Sequence, residues 1–232
     1  MEKNKVVFIT GASRGIGLAT AKEFTSNGWS VAGFYNQKKG PKIKNVNWYQ
    51  LEISDYSSIK KSFQKAFKDL GRIDSFVNCA GIFGYKSLAE YDEELMDKVI
   101  GVNEKGAYLC TKEILDKMSE GTIVYISSTA AQVGITDPVY AGTKSAILGL
   151  TKAMAKALAP KIRVNCVSPS VTNSDMTKNM KPERLKQLIE MTLLKRVAEP
   201  EDIANTIYFL ASDESKHITG ACLDVNAGYV LR

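Results

Sequence analysis

The sequence predicts an α/β fold: one doubly wound parallel sheet of seven strands, with helices on both faces in three αβα layers, as a single domain spanning residues 1–232. Three observations lead there. Short apolar runs alternate with longer helical patterns from end to end, as in repeated βαβ units. Several of those runs are apolar nearly throughout, for example Val6-Val-Phe-Ile9 and Thr122-Ile-Val-Tyr-Ile126, as expected of strands covered on both faces. A chain of 232 residues is also long enough for one sizeable core and short for two.

The elements follow in order. A charged start leads into a strand at 5–10, then a glycine-rich turn and a helix at 15–27. Strands at 29–34 and 46–53 precede a helix at 55–70, which opens on Ser54-Asp55 and stops at Gly71, a capped start and a glycine end. A strand at 73–79, a long helix at 92–118 and a strand at 122–127 come next. The helix at 139–158, the strand at 162–167, helices at 183–193 and 201–212 and a last strand at 221–225 complete the pattern. Residues 37–45 and 168–182 are the least patterned and are expected to be mobile loops. In such a sheet, ligands bind beyond the carboxyl ends of the strands.

Composition removes several function classes. Apolar residues make up 44 % and charged ones 24 %, an ordinary soluble balance. No apolar run approaches the roughly 18–20 residues that span a bilayer, and Val6–Ile9 is too short for a signal-peptide core. A cytoplasmic protein with no membrane partner is expected. Cys79, Cys110, Cys166 and Cys222 form no Cys-x-x-Cys pair and His217 is the lone histidine, so no metal site is expected. His217, between Lys216 and Ile218, is read as a surface or packing residue. The net charge is +6, but the lysines are scattered rather than clustered with aromatics, which argues against a nucleic-acid partner.

The first strand–turn–helix carries the first chemical signal. Gly11, Gly15 and Gly17 sit where a dinucleotide pyrophosphate needs a turn free of side chains, so that backbone N–H groups and a helix N-terminus can approach the phosphates. Ala12, Ser13, Arg14 and Ile16 share that turn. The spacing Thr10-Gly11-x-x-x-Gly15-x-Gly17 resembles the cofactor motif of the short-chain dehydrogenase/reductase family, which implies a Rossmann-like fold. The second strand leads into Tyr35-Asn36-Gln-Lys38-Lys39 without the acid that usually holds a ribose 2′-hydroxyl. Arg14 can meet a 2′-phosphate bidentately, and Asn36 is the neutral contact near the ribose. NADP(H) is therefore expected in preference to NAD(H).

Tyr-x-x-x-Lys occurs four times, at Tyr35–Lys39, Tyr56–Lys60, Tyr108–Lys112 and Tyr140–Lys144, so the spacing alone is uninformative. Only Tyr140–Lys144 opens a helix of small residues behind a buried strand ending in Ser127-Ser128. Reducing a carbonyl takes a hydride at carbon and a proton at oxygen. Tyr140 is the candidate acid/base. Lys144, one turn on, shares its face and is expected to lower the tyrosine pKa. Ser128 is expected to hydrogen-bond the substrate oxygen.

The family resemblance then runs along nearly the whole chain. Asn78-Cys-Ala80-Gly81 is similar to the family's Asn-x-Ala-Gly element beside the adenosine ribose. Asn103 matches the asparagine that completes a catalytic tetrad, kinking its helix and holding a water that links the lysine to solvent. Residues 163–169 resemble the sixth strand and the proline turn under the nicotinamide, which implies cofactor contacts at Pro169, Ser170, Thr172 and Ser174; Tyr140 and Lys144 also touch the cofactor in this scheme. Residues 199–204, 209–212, 218–220 and 224–228 resemble the family's ending. Departures are visible: Ser170 replaces a glycine, Thr172 an isoleucine or valine, Ser174 a threonine, and Glu52 stands with Ile53 where an aspartate usually contacts adenine. Ser128 and Tyr140 are 12 residues apart, one fewer than the commonest spacing, in a loop where Asp137-Pro138 makes a turn.

Within the family the pattern most resembles 3-oxoacyl-acyl-carrier-protein reductases, which implies NADPH-dependent reduction of a 3-oxoacyl thioester and docking of an acyl carrier protein. Basic residues for that docking are only partly present near Ser119 and Pro160-Lys161. Reduction of another ketone, sugar or secondary alcohol is the alternative within the family, and a non-catalytic NADP-sensing protein is the alternative of another class. The resemblance also implies a homotetramer joined through the helices near 92–118 and 139–158 and the last strand.

Overall fold

The computed structural model describes residues 4–178 and 180–232. Its strands are β1 (Val6–Thr10), β2 (Ser30–Tyr35), β3 (Val46–Gln50), β4 (Ser75–Asn78), β5 (Gly121–Ile126), β6 (Ile162–Pro169) and β7 (Cys222–Val225). Its α-helices are α1 (Gly15–Ser26), α2 (Tyr56–Leu70), α3 (Glu93–Ile100), α4 (Gly106–Leu115), α5 (Ala130–Val133), α6 (Pro138–Leu158), α7 (Pro182–Glu190) and α8 (Pro200–Ala211). The strands form one sheet in the order β3-β2-β1-β4-β5-β6-β7, every neighbouring pair parallel. Winding runs outward in both directions from β1 and β4. A ligand crevice belongs at that switch point, beyond the carboxyl ends of the two strands.

The pleat sends alternate side chains of β1 to opposite faces. Val6 and Phe8 enter a core closed by α2, α4 and α6, while Val7 and Ile9 enter one closed by α1 and α8. In the first core, Phe63 of α2 packs on Phe34 and Phe8, with ring centroids 4.6 and 5.7 Å apart. In the second, Phe24 of α1 meets Trp29 and Tyr208 edge-on at 5.1 and 5.2 Å. Both faces are thus covered, which fixes the sheet as a rigid platform. No helix among the described residues is long and apolar enough to cross a membrane.

The predicted cap of α2 is present: the Asp55 side chain accepts the Ser57 and Ser58 N–H groups, and Gly71 stops the helix at φ 81°. Three expectations need correction. β3 ends at Gln50 rather than 53, because Ser58 Oγ takes the Glu52 N–H at 2.9 Å. β6 continues through Pro169, which pairs in register with Val225. The helix expected over 92–118 is broken into α3 and α4 by a wider, π-type turn at Gly101–Lys105. Part of the stretch expected to be a mobile loop is also fixed: Ser168 and Pro169 belong to β6, and Thr172 bridges to Ala198. Asn179 lies outside the described residues.

Candidate active site

The turn after β1 is built from close approaches only glycine permits. A Cβ on Gly17 would lie 2.2 Å from the Gly11 carbonyl oxygen, and one on Gly11 would meet the Ala80 backbone at 2.9 Å. The start of α1 differs from its neighbours. Helices α2, α3 and α6 each open on an aspartate whose side chain accepts a backbone N–H. Helix α1 opens on Arg14 with no side-chain cap and no acid in its first turn. Uncapped N–H groups and the positive end of the helix suit an anionic phosphate, so the residues present fit a dinucleotide. A cavity of about 1460 Å³ runs past this turn, along the ends of β1, β4, β5 and β6, to Tyr140 and Lys144. That exceeds the usual volume for one small ligand, about 300–1,000 Å³, and leaves room for a dinucleotide and a substrate.

At the far end of the cavity the electrostatics are mixed. Arg14, Asn36, Lys38 and Lys39 line it, as does Glu52. Arg14 Nη1 lies 3.4 Å from Asp175 Oδ2, both side chains well exposed; such a pair is worth about 0–1 kcal/mol and is readily exchanged. Asn36 Nδ2 donates to Glu52 Oε2 at 2.8 Å, and Ser54 donates to Oε1 through both N–H and Oγ–H. Burial opposes ionisation of Glu52, but the Ser54 and Asn36 hydrogen bonds outweigh it and hold the carboxyl below its ordinary range. The end of β2 has no acid of its own, yet a carboxylate from beyond β3 lies against Asn36.

At the other end, Tyr140 and Lys144 are both buried in the first turns of α6. Ser128, just past β5, hydrogen-bonds the Tyr140 side chain, and its Oγ accepts the Ala130 N–H at 3.1 Å. Lys144 Nζ donates to the Ile126 carbonyl at 2.9 Å and lies 5.7 Å from the Tyr140 ring centroid. Burial pushes the Tyr140 phenol up to about 12, opposed by the Ser128 hydrogen bond and reinforced by the negative charge of Asp137. Burial pushes Lys144 down to about 8. Desolvation is the largest influence on the phenol, and the Lys144 ammonium is engaged by a strand-end carbonyl.

Asn103 sits at the centre of the π-type turn. Its Nδ2 donates to the Ile82 carbonyl at 2.9 Å and to Thr143 Oγ1 at 3.2 Å, and its Oδ1 accepts the Ile82 N–H at 2.8 Å. A Cβ on Gly81 would lie 3.4 Å from Lys144 Nζ and 3.5 Å from Asn103 Oδ1. The asparagine, the lysine and the end of β4 therefore pack as one unit.

The comparisons with known proteins agree on the family. A family model described as enoyl-(acyl carrier protein) reductase matches residues 11–230. The 3-oxoacyl-[acyl-carrier-protein] reductase of Staphylococcus epidermidis is 35% identical over 243 residues, covering 98% of this chain and all of that protein. A solved short-chain dehydrogenase/reductase from Brucella melitensis, described as a glucose/ribitol dehydrogenase, superposes with a TM-score of 0.94 at 30% identity, over 99% of this chain and 98% of its own. A structure of ElxO with NADP bound gives 0.88 at 30% identity, over 97% and 98%. This chain is a short-chain dehydrogenase/reductase. That is a family of oxidoreductases using a nicotinamide cofactor.

Most of the residues read from the sequence for this short-chain dehydrogenase/reductase line one cavity: Gly11, Ser13, Arg14, Gly15, Ile16, Gly17, Asn36, Glu52, Ile53, Ala80, Gly81, Ser128, Tyr140, Lys144, Pro169, Ser170, Thr172 and Ser174. Three do not. Ala12 is fully buried and donates its N–H to the Phe34 carbonyl at 2.9 Å. Asn78 Oδ1 accepts the Thr10 hydroxyl at 2.7 Å, tying β1 to β4 below the cleft. Asn103 is pinned behind Ile82. Sequence reasoning missed a second set on the cavity wall: Phe83 and Tyr85 above Tyr140, Asp137 beneath them, and Asp175 beside Arg14. Of these only Asp137 left a local trace, an aspartate before a proline at a helix start.

Proposed function

We propose that this short-chain dehydrogenase/reductase is an NADP(H)-dependent carbonyl reductase that converts a 3-oxoacyl thioester, carried on an acyl carrier protein or coenzyme A, into the 3-hydroxyacyl product. The observation that carries the reading is the convergence of Ser128, Tyr140 and Lys144 on the wall of the cavity that also runs along the glycine turn. Gly11, Gly15, Gly17 and the cavity wall as far as Pro169 would hold a nicotinamide cofactor, which would supply the hydride for the carbonyl carbon. Tyr140 donates its proton to the carbonyl oxygen. Ser128 donates a hydrogen bond to the same oxygen as negative charge grows there. Lys144 lies one turn on from the phenol with its Nζ 5.7 Å from the Tyr140 ring centroid, and Asn103 braces Ile82 and Thr143 behind it.

The apolar surface formed by Phe83, Tyr85, Met176, Met180, Leu188 and Ile189 supports an acyl substrate over a sugar. The Staphylococcus epidermidis relative supports the same class. For the cofactor, Arg14, Lys38 and Lys39 face the ribose end against the single, hydrogen-bonded carboxylate of Glu52, a balance that favours the 2′-phosphate of NADP(H).

The test is oxidation of NADPH by the purified protein with acetoacetyl thioesters and a panel of other ketones, wild type beside Tyr140→Phe. Thioester turnover is expected, with kcat at least about 10²-fold lower in the variant. Turnover of other ketones with the thioesters ignored would discard the acyl assignment, and full activity in Tyr140→Phe would remove Tyr140 from its role.

A further inference from the structure

Two stretches of chain meet above the cavity. One follows β4 and carries Phe83 and Tyr85; the other follows β6 and carries Ser174, Asp175 and Met176. The Tyr85 hydroxyl donates to the Met176 carbonyl across the gap between them. All five residues line the cavity, which also reaches Arg14 and the glycine turn on one side and Tyr140 and Lys144 on the other. The Arg14 charge is felt at the Tyr85 phenol, and the Tyr85 phenol is felt at Tyr140. That hydroxyl therefore sits between the two ends of the cleft.

Tyr85 is held for this contact. Its backbone lies at φ 59°, in the left-handed region that a bulky residue seldom enters. Asp137 and Phe83 keep it there. Asp137 Oδ2 accepts the Tyr85 N–H at 2.9 Å, and the Tyr85 ring lies on Phe83 with centroids 4.5 Å apart. Phe83 in turn lies on Tyr140 at 4.4 Å. The opposite stretch is fixed by its own bonds. Thr177 Oγ1 donates to the Thr172 and Ser174 carbonyls at 2.8 and 3.0 Å, and the Asn173 N–H donates to the Ala198 carbonyl at 2.8 Å. Ser174 lies against the glycine turn, where a Cβ on Gly15 would be 3.6 Å from its own Cβ.

Two ties hold this stretch over the cleft, Tyr85 to Met176 and Arg14 to Asp175, the second at 3.4 Å. Both are exposed to water, so each can open and close. A dinucleotide lying from the glycine turn to Tyr140 would run beneath them. A 2′-phosphate on Arg14 would draw the guanidinium from Asp175, which leaves the Tyr85 hydroxyl as the remaining tie.

We propose that Tyr85 is a positioning residue that gates cofactor exchange: its hydroxyl fastens the stretch after β6 to the stretch after β4, and the dinucleotide enters and leaves when this bond opens. This rests on the reading of the cavity as the cofactor's. A gate has a kinetic signature that a direct contact lacks. Closed over the empty and the filled cleft alike, it slows entry and exit by the same factor, so removing its tie raises both rates and leaves Kd unchanged. Loss of a direct contact raises the exit rate alone and weakens Kd.

Tyr85→Phe removes the hydroxyl and keeps the ring for Phe83. Stopped-flow fluorescence of NADPH with wild type and variant should show association and dissociation both faster by about three- to tenfold, the span of one net hydrogen bond, with Kd within about twofold. A second readout needs no cofactor: hydrogen exchange of the backbone amides of residues 173–178 should be faster in the variant. Unchanged rates, or faster release alone with a weaker Kd, overturn the proposal, as does unchanged exchange over 173–178. If neither NADPH nor NADH binds the wild type, the cofactor reading fails instead, and the exchange comparison still decides whether Tyr85 fastens this stretch.

Discussion

Burying an ammonium next to a phenol costs stability, and Lys144→Met measures that cost. Lys144 is almost inaccessible, has no carboxylate partner among its hydrogen bonds, and donates instead to the Ile126 carbonyl at 2.9 Å. Burial takes it from 10.5 to about 8, a fall worth roughly 3 kcal/mol at about 1.4 kcal/mol per pH unit. Below pH 8 the lysine is protonated in folded and unfolded chains alike, so the full penalty is present. Between pH 8 and 10.5 the unfolded chain holds a proton that the folded one has released, so stability rises with pH; above 10.5 the penalty is gone.

Methionine has no such dependence. It strands the Ile126 carbonyl, which costs about 1–3 kcal/mol, so the net gain near neutral pH is about 0–2 kcal/mol. The pH-dependent difference of roughly 3 kcal/mol is untouched by that loss. Urea unfolding of wild type and variant at a series of pH values from neutral to 10.5 reads it, with the variant's advantage shrinking as pH rises. A difference that stays flat across that range refutes the buried, weakened lysine and the account of the site built on it.

Arg14→Ser should raise KM for NADPH about tenfold or more, the worth of one charge-assisted contact, and leave KM for NADH within about twofold. Equal changes for the two cofactors would assign Arg14 to the pyrophosphate instead. Gly17→Ala places a Cβ 2.2 Å from a backbone oxygen that cannot rotate away. It should lower stability by about 1–3 kcal/mol in thermal or urea unfolding and weaken cofactor binding measured by fluorescence titration. Stability equal to wild type would mean that the turn can open.

The parts legible in the sequence are those written locally. Inner strands covered on both faces leave nearly uninterrupted apolar runs, and the edge strands β3 and β7 were placed by the alternation with helices, with errors at strand ends where side chains such as Ser58 intervene. The glycine turn was visible because close backbone approach leaves no choice of residue. Choosing Tyr140–Lys144 among four equally spaced pairs needed the strand that precedes it. The structure gives another pair a different use: Lys60 and Lys112 lie over the Tyr56 ring at 4.9 and 5.4 Å, a surface cation–π arrangement. What was hidden depends on distant partners. The π-type turn at 101–105 exists because Asn103 reaches Ile82 and because Gly106 packs on Ile53, where a Cβ would come within 2.9 Å. Periodicity alone read straight through it as one helix over 92–118, and only the family resemblance, through a helix-kinking Asn103, pointed to a break there.

Electrostatics at the site was the least legible part, for a reason particular to buried groups. Spacing places Tyr140 and Lys144 on one helix face, and from that alone an ammonium should favour the phenolate. The sum is decided by what each loses on leaving water and by which neighbour takes the ammonium's hydrogen, and here that neighbour is a carbonyl at the end of β5. Asp137, invisible as a partner until the segment after β4 folds over it, then adds its charge on the side of the neutral phenol. Burial and the Asp137 charge both push the phenol toward its neutral form. A proton retained until a carbonyl oxygen becomes basic during hydride arrival is what reduction requires of its acid. On the proposed reductase reading, burial that looks unfavourable for a base suits Tyr140 as the proton donor.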